Sequence, residues 1–488
     1  MSPILLFSFV IGYFLILLAV AWYTGKNSNN QSFFIGNKNS NWMLVAFGMV
    51  GTSLSGVTFV SVPGAVAKDS FAYFQITIGY LIGYFLIAFV LLPLYYKLNL
   101  TSIYNYLRGR LGHHSYKTGS SFFILSRVLG ATARLYLVVN ILQESILNSF
   151  NIPFWATTLI ILAMILLYTY EGGVKTIVYT DTLQTTCMLL GLIICVTYIL
   201  NQLHLGLGES IAIMQQKGYA KIFFTDPNSK LFFVKQIIAG AFITLTMTGM
   251  DQEMMQKNIS VKTLKDSQKN VISMAFVLLM VIAIFLLLGG LLYLYADQLH
   301  INVTGDKIFP TIALNQMPPF VSIIFIIALI SALFPSADGA ITALTSTFCI
   351  DILGIQRRTD LTDAAQKKIR QKVHLSFAGI FLLFVLIFKW VNDPSMIGLL
   401  LKIAAYTYGP LLGLFTFGMF TNKMVKDRLV PYICIASPII CFLLEKYQKY
   451  LLGSFELGLE LLIINGAITF LGLWLIRDKE AKAENLTA

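Results

Sequence analysis

Thr52-Ser53-Leu54-Ser55-Gly56 is the stretch whose reading decides the fold. It lies in the middle of an apolar run from Trp42 to Ala67, and Gly48, Gly51, Gly56 and Gly64 bracket it. Lipid cannot satisfy free backbone N–H and C=O groups. A segment unwound at that depth must therefore line a protein cavity or coordinate something. Discontinuous helices of this kind build the ion and substrate sites of secondary transporters near the bilayer midplane. The chain reads as a transporter from this feature outward.

Composition agrees. Of 488 residues, 57% are hydrophobic and 12% charged, against roughly 25% charged in ordinary soluble domains. Apolar segments of spanning length fall near 3–23, 42–66, 71–96, 121–147, 153–170, 177–203, 232–250, 271–296, 319–351, 373–391, 396–420, 429–445 and 456–476. Each holds roughly 20 helical residues. The first has no basic n-region and no small-residue cleavage site, and reads as a retained helix. The five cysteines sit in or beside apolar segments without metal-ligand spacing, and read as small buried hydrophobes.

The net charge of +12 is a topology signal rather than a nucleic-acid one. With the N-terminus outside, the inner segments carry most of the basic residues. These include Lys26, Arg108, Arg110, Lys117, Lys257, Lys262, Lys265, Lys269, Arg357 and Arg358. The outer ones hold Lys68, Lys217, Lys221, Lys230, Lys307, Lys446 and Lys449. The positive-inside rule then gives N-out and C-in with an odd number of spans.

The expected fold is an all-α membrane protein of about 13 transmembrane helices. It forms one transporter domain over 1–488, with long loops at 204–231, 251–270, 297–318 and 352–372. An extra helix at 3–23 precedes a first inverted repeat over 42–203. A second repeat covers 232–420, two C-terminal helices cover 429–476, and 477–488 is a cytoplasmic tail. Inverted five-helix repeats with a broken first helix are a known transporter plan.

Three further places carry chemistry. The ninth span holds Pro335, Ser336, Asp338 and Gly339, and the sixth opens at Gly172–Gly173 and carries Asp181. An intramembrane carboxylate costs about 2.5–3.5 kcal/mol on insertion scales, and by default marks an ion or proton path. Asp338 either serves one or pairs with a buried cation such as Lys402 or Arg134; Asp181 is either a site residue or hydrated. If the two face one another, both stay ionised only with a cation between them, and sodium or a shared proton would serve. Pro335 frees the carbonyl of Ser331 one turn earlier. Arg127 and Arg134, seven apart on the fourth span, either grip an anionic substrate or snorkel and pair with structural carboxylates. The five histidines form no cluster, and no nucleophile motif or phosphate loop appears, so enzymatic chemistry is not expected.

At these residues the chain resembles the sodium:solute symporter family. The likeness rests on Gly51 through Gly64, on Gly172 through Gln184, on Asp251 through Lys257 and on Ser336 through Asp351. It implies a LeuT-like fold of 5+5 core helices. It also implies a principal Na⁺ site on Gly51, Leu54, Ala332, Pro335 and Ser336, with Pro335 standing where the family usually has a hydroxyl. A second ion site falls on Asp181, Asp338 and Gly339, with Asp338 replacing a hydroxyl. Substrate contacts are implied at Ser53, Ser55, Thr58, Gln75, Thr77, Arg134 and Thr244.

The expected function is Na⁺-coupled uptake of a small polar organic solute, a sialic acid, sugar, carboxylate or amino acid, by alternating access. Na⁺ is the expected cofactor, as the co-transported ion, and the expected partners are the solute, Na⁺ and the lipid bilayer, with no nucleic acid. The protein is expected to work as a monomer in a cell membrane, a bacterial inner membrane for preference. The rivals are a proton-coupled or uncoupled carrier using Asp338 and Asp181, and a transporter-like sensor.

Overall fold

The computed structural model describes residues 3–25, 33–34, 38–169, 173–391 and 395–482. Lys26, Gly172 and tail residues 483–488, named above, lie outside the described residues. Eight helices are long and apolar enough to cross a membrane, or up to eleven when each bent pair counts as one span. The long ones are α1 (Pro3–Gly25), α4 (Tyr73–Lys97), α5 (His113–Ser145), α7 (Gly173–Leu203), α10 (Leu264–Gln298), α11 (Pro319–Ile352), α12 (Asp363–Val391) and α15 (Val430–Lys446).

The bent pairs are α2 (Trp42–Ser53) with α3 (Gly56–Asp69), at 54°, and α8 (Phe233–Gly249) with α9 (Gln252–Ile259), at 67°. A third, α13 (Met396–Thr407) with α14 (Gly409–Phe420), turns by 44°. Two shorter apolar helices, α6 (Phe154–Thr169) and α16 (Leu461–Leu475), complete the set.

Polarity is distributed as lipid demands. Phe9, Phe89, Met280, Leu383, Ile435 and Leu475 are exposed on outer faces, while Thr52, Asp181, Gln184, Lys257, Asp338 and Asn465 are buried. Helix α11 is the axis of the molecule. Nearly every side chain from Ala328 to Thr347 is buried, and it packs against α1, α2, α3, α5, α6, α7, α9 and α12. A residue placed on this central stretch of α11 therefore faces protein in every direction.

Helices α4 and α8 approach closely because both present glycine. A Cβ on Gly79 would lie 2.2 Å from the Ile237 carbonyl oxygen, and one on Gly240 2.3 Å from that of Ile76. Small residues let backbones meet in a medium that supplies no hydrophobic drive for association.

One expectation needs correction. Residues 251–270 are not a loop throughout: Asp251 caps a buried helix, α9, accepting from the N–H groups of Glu253 and Met254. Lys257, counted above as a surface charge of the inner side, is 3% exposed within it. The carboxylate before an amphipathic segment is a helix-start signal that the loop reading passed over. At the far end of the chain, Arg477–Lys482 pairs antiparallel with Lys423–Val425.

The glycine seam gives a first prediction. Gly240→Val is expected to lower stability by about 1–3 kcal/mol through overpacking, read as a lower melting temperature in detergent. Gly130→Ala, where nothing lies within 4 Å of the added carbon, leaves it unchanged.

Candidate functional site

The chain between α2 and α3 is unwound over two residues, with Leu54 at φ −91°, ψ 39° and Ser55 at φ −36°, ψ 167°. Helical bonding stops at the Leu54 N–H on the Val50 carbonyl and resumes at the Phe59 N–H on the Ser55 carbonyl. Among the described residues, no hydrogen bond reaches the carbonyls of Gly51 or Leu54. The Ser53 hydroxyl is buried and also without a partner.

The break between α8 and α9 behaves differently. The Tyr95 hydroxyl donates to the Gly249 carbonyl at 2.8 Å and the Tyr104 hydroxyl to that of Met250 at 2.9 Å. The Asp251 carboxylate caps α9 and accepts from the Tyr408 hydroxyl at 2.8 Å. One break is sealed by side chains; the other keeps its oxygens available.

The open break faces α11. A Cβ on Gly56 would lie 3.8 Å from Leu333 Cα, and Ala332, Pro335 and Ser336 flank that contact point in sequence. All three are buried, and the Ser336 hydroxyl donates to the Leu333 carbonyl at 2.8 Å. α11 continues helically through Pro335, which leaves the Ser331 carbonyl without its usual donor. Gly51, Leu54, Ala332, Pro335 and Ser336 thus belong to two packed segments rich in unclaimed oxygen.

A cavity of about 100 Å³ opens beside the break, roomy enough for several waters or a small solute. Ser53, Ser55, Thr58, Arg134 and Thr244 line it, as do Tyr73, Tyr80 and Tyr84 of α4. Gln75 and Thr77 do not. The Gln75 amide braces the loop before α8, accepting from the Phe224 N–H at 3.2 Å and donating to the Leu231 carbonyl at 3.1 Å. Thr77 donates to the Tyr73 carbonyl. The tyrosines, at spacings of seven and four, own the cavity face of α4. That helical spacing was present in the sequence and was the signal for them.

The two arginines of α5 divide their roles. Arg127 is buried, bonds Glu253 and lies 3.7 Å from Asp251. Arg134 makes no hydrogen bond or ion pair with any described residue, and its Nε is buried. Its fork therefore presents donors of the kind that carboxylates accept in two-point fashion.

Beneath the break lies a second group of charges. Lys257 Nζ donates to Asp181 Oδ2 at 2.7 Å and to the Thr52 hydroxyl at 2.7 Å, with Glu253 Oε1 at 3.8 Å. Asp181 is fully buried rather than hydrated. Asp338 pairs with neither cation considered above, since Lys402 is bonded to Glu445 at 2.7 Å. It accepts instead from the Tyr168 hydroxyl at 2.8 Å and from the Gly339 N–H. Gly339 has no room for a side chain: a Cβ there would lie 2.3 Å from Glu253 Oε1.

A family model for the sodium:solute symporter family matches residues 33–427. The chain is 23% identical to a sodium/sialic acid symporter of Proteus mirabilis, across 95% of this chain and 94% of that one. It is 22% identical to the human sodium/iodide cotransporter, across 81% of this chain and 62% of that one. A solved Na⁺-coupled sialic acid symporter, in a substrate-bound outward-open state, has the same fold. Its TM-score is 0.83 at 19% identity, over 96% of this chain and 97% of that one.

Breaking a buried ion pair by removing one partner costs about 3–5 kcal/mol. Lys257→Met is therefore expected to destabilise by that order in thermal unfolding. Lys257→Met with Asp181→Asn recovers part of the loss, a coupling that a double-mutant cycle measures.

Proposed function

This chain belongs to the sodium:solute symporter family, and on that footing we propose a Na⁺-driven carrier of small carboxylates, its ion at the open helix break and its solute on Arg134. It is a Na⁺-coupled membrane transporter and not an enzyme. Thirteen spans, an N-out and C-in orientation, a 5+5 inverted repeat with the boundaries given above and a bacterial inner membrane are part of the same proposal. So is function as a monomer. The charge distribution and the match of each expected span to a helix, single, bent or short, support them.

The observation that carries the ion site is the contrast between the two breaks. Carbonyls freed in a membrane interior need a partner; those of Gly249 and Met250 have tyrosines, and those of Gly51 and Leu54 have none. A hard cation takes oxygen ligands of this type. Na⁺ held by Gly51, Leu54, Ala332 and Ser336 would pin the unwound segment to α11. Pro335 contributes no hydroxyl, but it loosens the same turn by withholding its N–H.

Binding at this seam favours the arrangement in which α2, α3 and α11 are packed together and the cavity is formed. Loss of the ion to a low-sodium cytoplasm then lets the seam part and opens the inner path, so that solute follows ion. For the solute, Arg134 supplies the anion contact, and Ser53, Ser55, Thr58 and Thr244 supply hydroxyls. Ile243, Met247 and Leu400 supply apolar wall. Relatives that carry sialic acid and iodide both handle anions, in keeping with a carboxylate here.

Purified protein in proteoliposomes is expected to take up one or more of sialic acid, lactate, pyruvate and acidic amino acids with NaCl outside and not with choline chloride. Equal uptake in both salts rejects the coupling scheme. Ser336→Ala raises the Na⁺ concentration for half-maximal uptake about tenfold, equivalent to about 1.4 kcal/mol. Arg134→Gln weakens solute binding by about 10- to 100-fold, the worth of a charge-assisted contact, with little change in the Na⁺ requirement.

A further inference from the structure

Helix α7 presents a polar edge to α2 just before the open break. A Cβ on Gly48 would lie 3.0 Å from Asp181 Cβ, and one on Gly51 would overlap the Thr185 hydroxyl oxygen and lie 3.3 Å from Thr185 Cβ. Asp181 and Thr185 are four positions apart, so they share one face of α7. Both are fully buried. What answers them differs. Asp181 Oδ2 accepts from Lys257 Nζ at 2.7 Å, whereas the Thr185 hydroxyl has no hydrogen-bond partner among the described residues.

A threonine inside a helix has an easy way to satisfy its hydroxyl, which is to donate back to the carbonyl four residues earlier. On α7, Thr182 does so to Val178 at 2.8 Å, Thr186 to Thr182 at 2.9 Å and Thr197 to Ile193 at 3.0 Å. Thr185 has the same option at the Asp181 carbonyl and does not take it. Its oxygen is turned to the backbone of Gly51 instead. A hydroxyl buried without a bond costs stability, and a group held that way calls for a partner.

Helix α11 closes on the same level. A Cβ on Gly191 of α7 would overlap that of Ala328 on α11, and Asp181 and Asp338 are close enough to feel each other's charge. These two pairs fix an antiparallel register in which Gln184 stands level with Pro335 and Thr185 with Phe334. Gln184 adjoins Tyr168 on α6. One position on, about 100° round the helix, Thr185 meets Gly51. The break, Thr185 and the Pro335 turn of α11 therefore stand side by side.

We propose that Thr185 Oγ1 is a ligand of the Na⁺ held at the open break, supplying from α7 the side-chain oxygen that Pro335 lacks. The proposal rests on the reading above that the break is the Na⁺ site. A hard cation takes oxygen ligands, and a hydroxyl with free lone pairs is one. The Thr185 oxygen abuts the residue whose carbonyl no described group bonds. The nearby ammonium does not compete for it, since Lys257 is spent one turn inward on Asp181 and Thr52. With this ligand the ion ties α7 as well as α2 and α11. Loss of Na⁺ then frees three helices at one point rather than two.

Thermal unfolding of the full-length protein in detergent, with NaCl titrated against choline chloride at constant ionic strength, tests this without knowledge of the solute. Thr185→Val keeps the branched shape and removes the oxygen. In choline chloride its melting temperature is expected to equal or exceed the parent's, because an unbonded buried hydroxyl is gone. In NaCl the concentration for half-maximal stabilisation is expected to rise about tenfold, the worth of one lost polar contact. Thr185→Ser, which keeps an oxygen, stays near the parent's value. Should Thr185→Val fail to fold, Thr185→Ala removes the same oxygen. An unchanged Na⁺ dependence in these variants, with Ser336→Ala still weakening it, overturns the Thr185 assignment and leaves the break as the ion site. A loss that Thr185→Ser shares overturns the assignment as well. A parent that NaCl does not stabilise, or a dependence indifferent to both Thr185→Val and Ser336→Ala, rejects the break itself and the assignment with it.

Discussion

Everything in this molecule depends on what happens to backbone carbonyls released where no water can reach them. A straight transmembrane helix leaves none in its middle. This chain breaks one span at Leu54–Ser55 and another at Met250–Asp251, and the two breaks are finished in opposite ways. Tyr95, Tyr104 and the capping Asp251 complete the second, which makes it a fixed corner. At the first, no described side chain bonds the oxygens of Gly51 and Leu54, which stay available. The same interruption of helical hydrogen bonding yields an anchor in one place and unclaimed carbonyl oxygens in the other.

The fixed corner matters because of what it carries. Helix α9 is only eight residues long, yet through Lys257 and Glu253 it reaches Thr52 on α2, Asp181 on α7 and Arg127 on α5, and it packs on α11. Buried ion pairs contribute little net stability over an apolar core of the same shape, but breaking one is costly. They are therefore well suited to define two discrete packings rather than a continuum. A seam that either keeps or loses Lys257 has few intermediate positions. Alternating access needs that property in the elements around the ion.

Sequence reasoning found the all-helical membrane class because bilayer thickness imposes long apolar runs, which remain legible residue by residue. It found the α2–α3 break because hydroxyls and glycines are conspicuous inside such a run. It missed α9, since Gln252 to Lys257 is polar and reads as a cytoplasmic loop until the carboxylates that neutralise Lys257 and Arg127 are seen in space. Hydropathy counts a charge as a surface signal, whether or not a partner waits 2.7 Å away on another helix. Gln75 illustrates the reverse error. It is polar and lies on the cavity helix, but its helical phase turns it toward Phe224 and Leu231, and three tyrosines take the inner face. Pairings between distant segments, not local propensity, decided each of these.

Two departures from the family pattern on α11 take on meaning together. Pro335 removes a hydroxyl from the side of the helix that meets the open break, and Asp338, three positions on, adds a carboxylate against Tyr168. An ammonium fixed to α9 then does part of what a mobile ion would do at Asp181, since it neutralises the charge and ties three helices. It differs in one respect: a covalently held cation cannot be exchanged between the two sides of a membrane, so it cannot carry the free energy of a gradient. On the reading proposed above, work from Na⁺ enters instead at the seam of Gly51, Leu54 and Ser336.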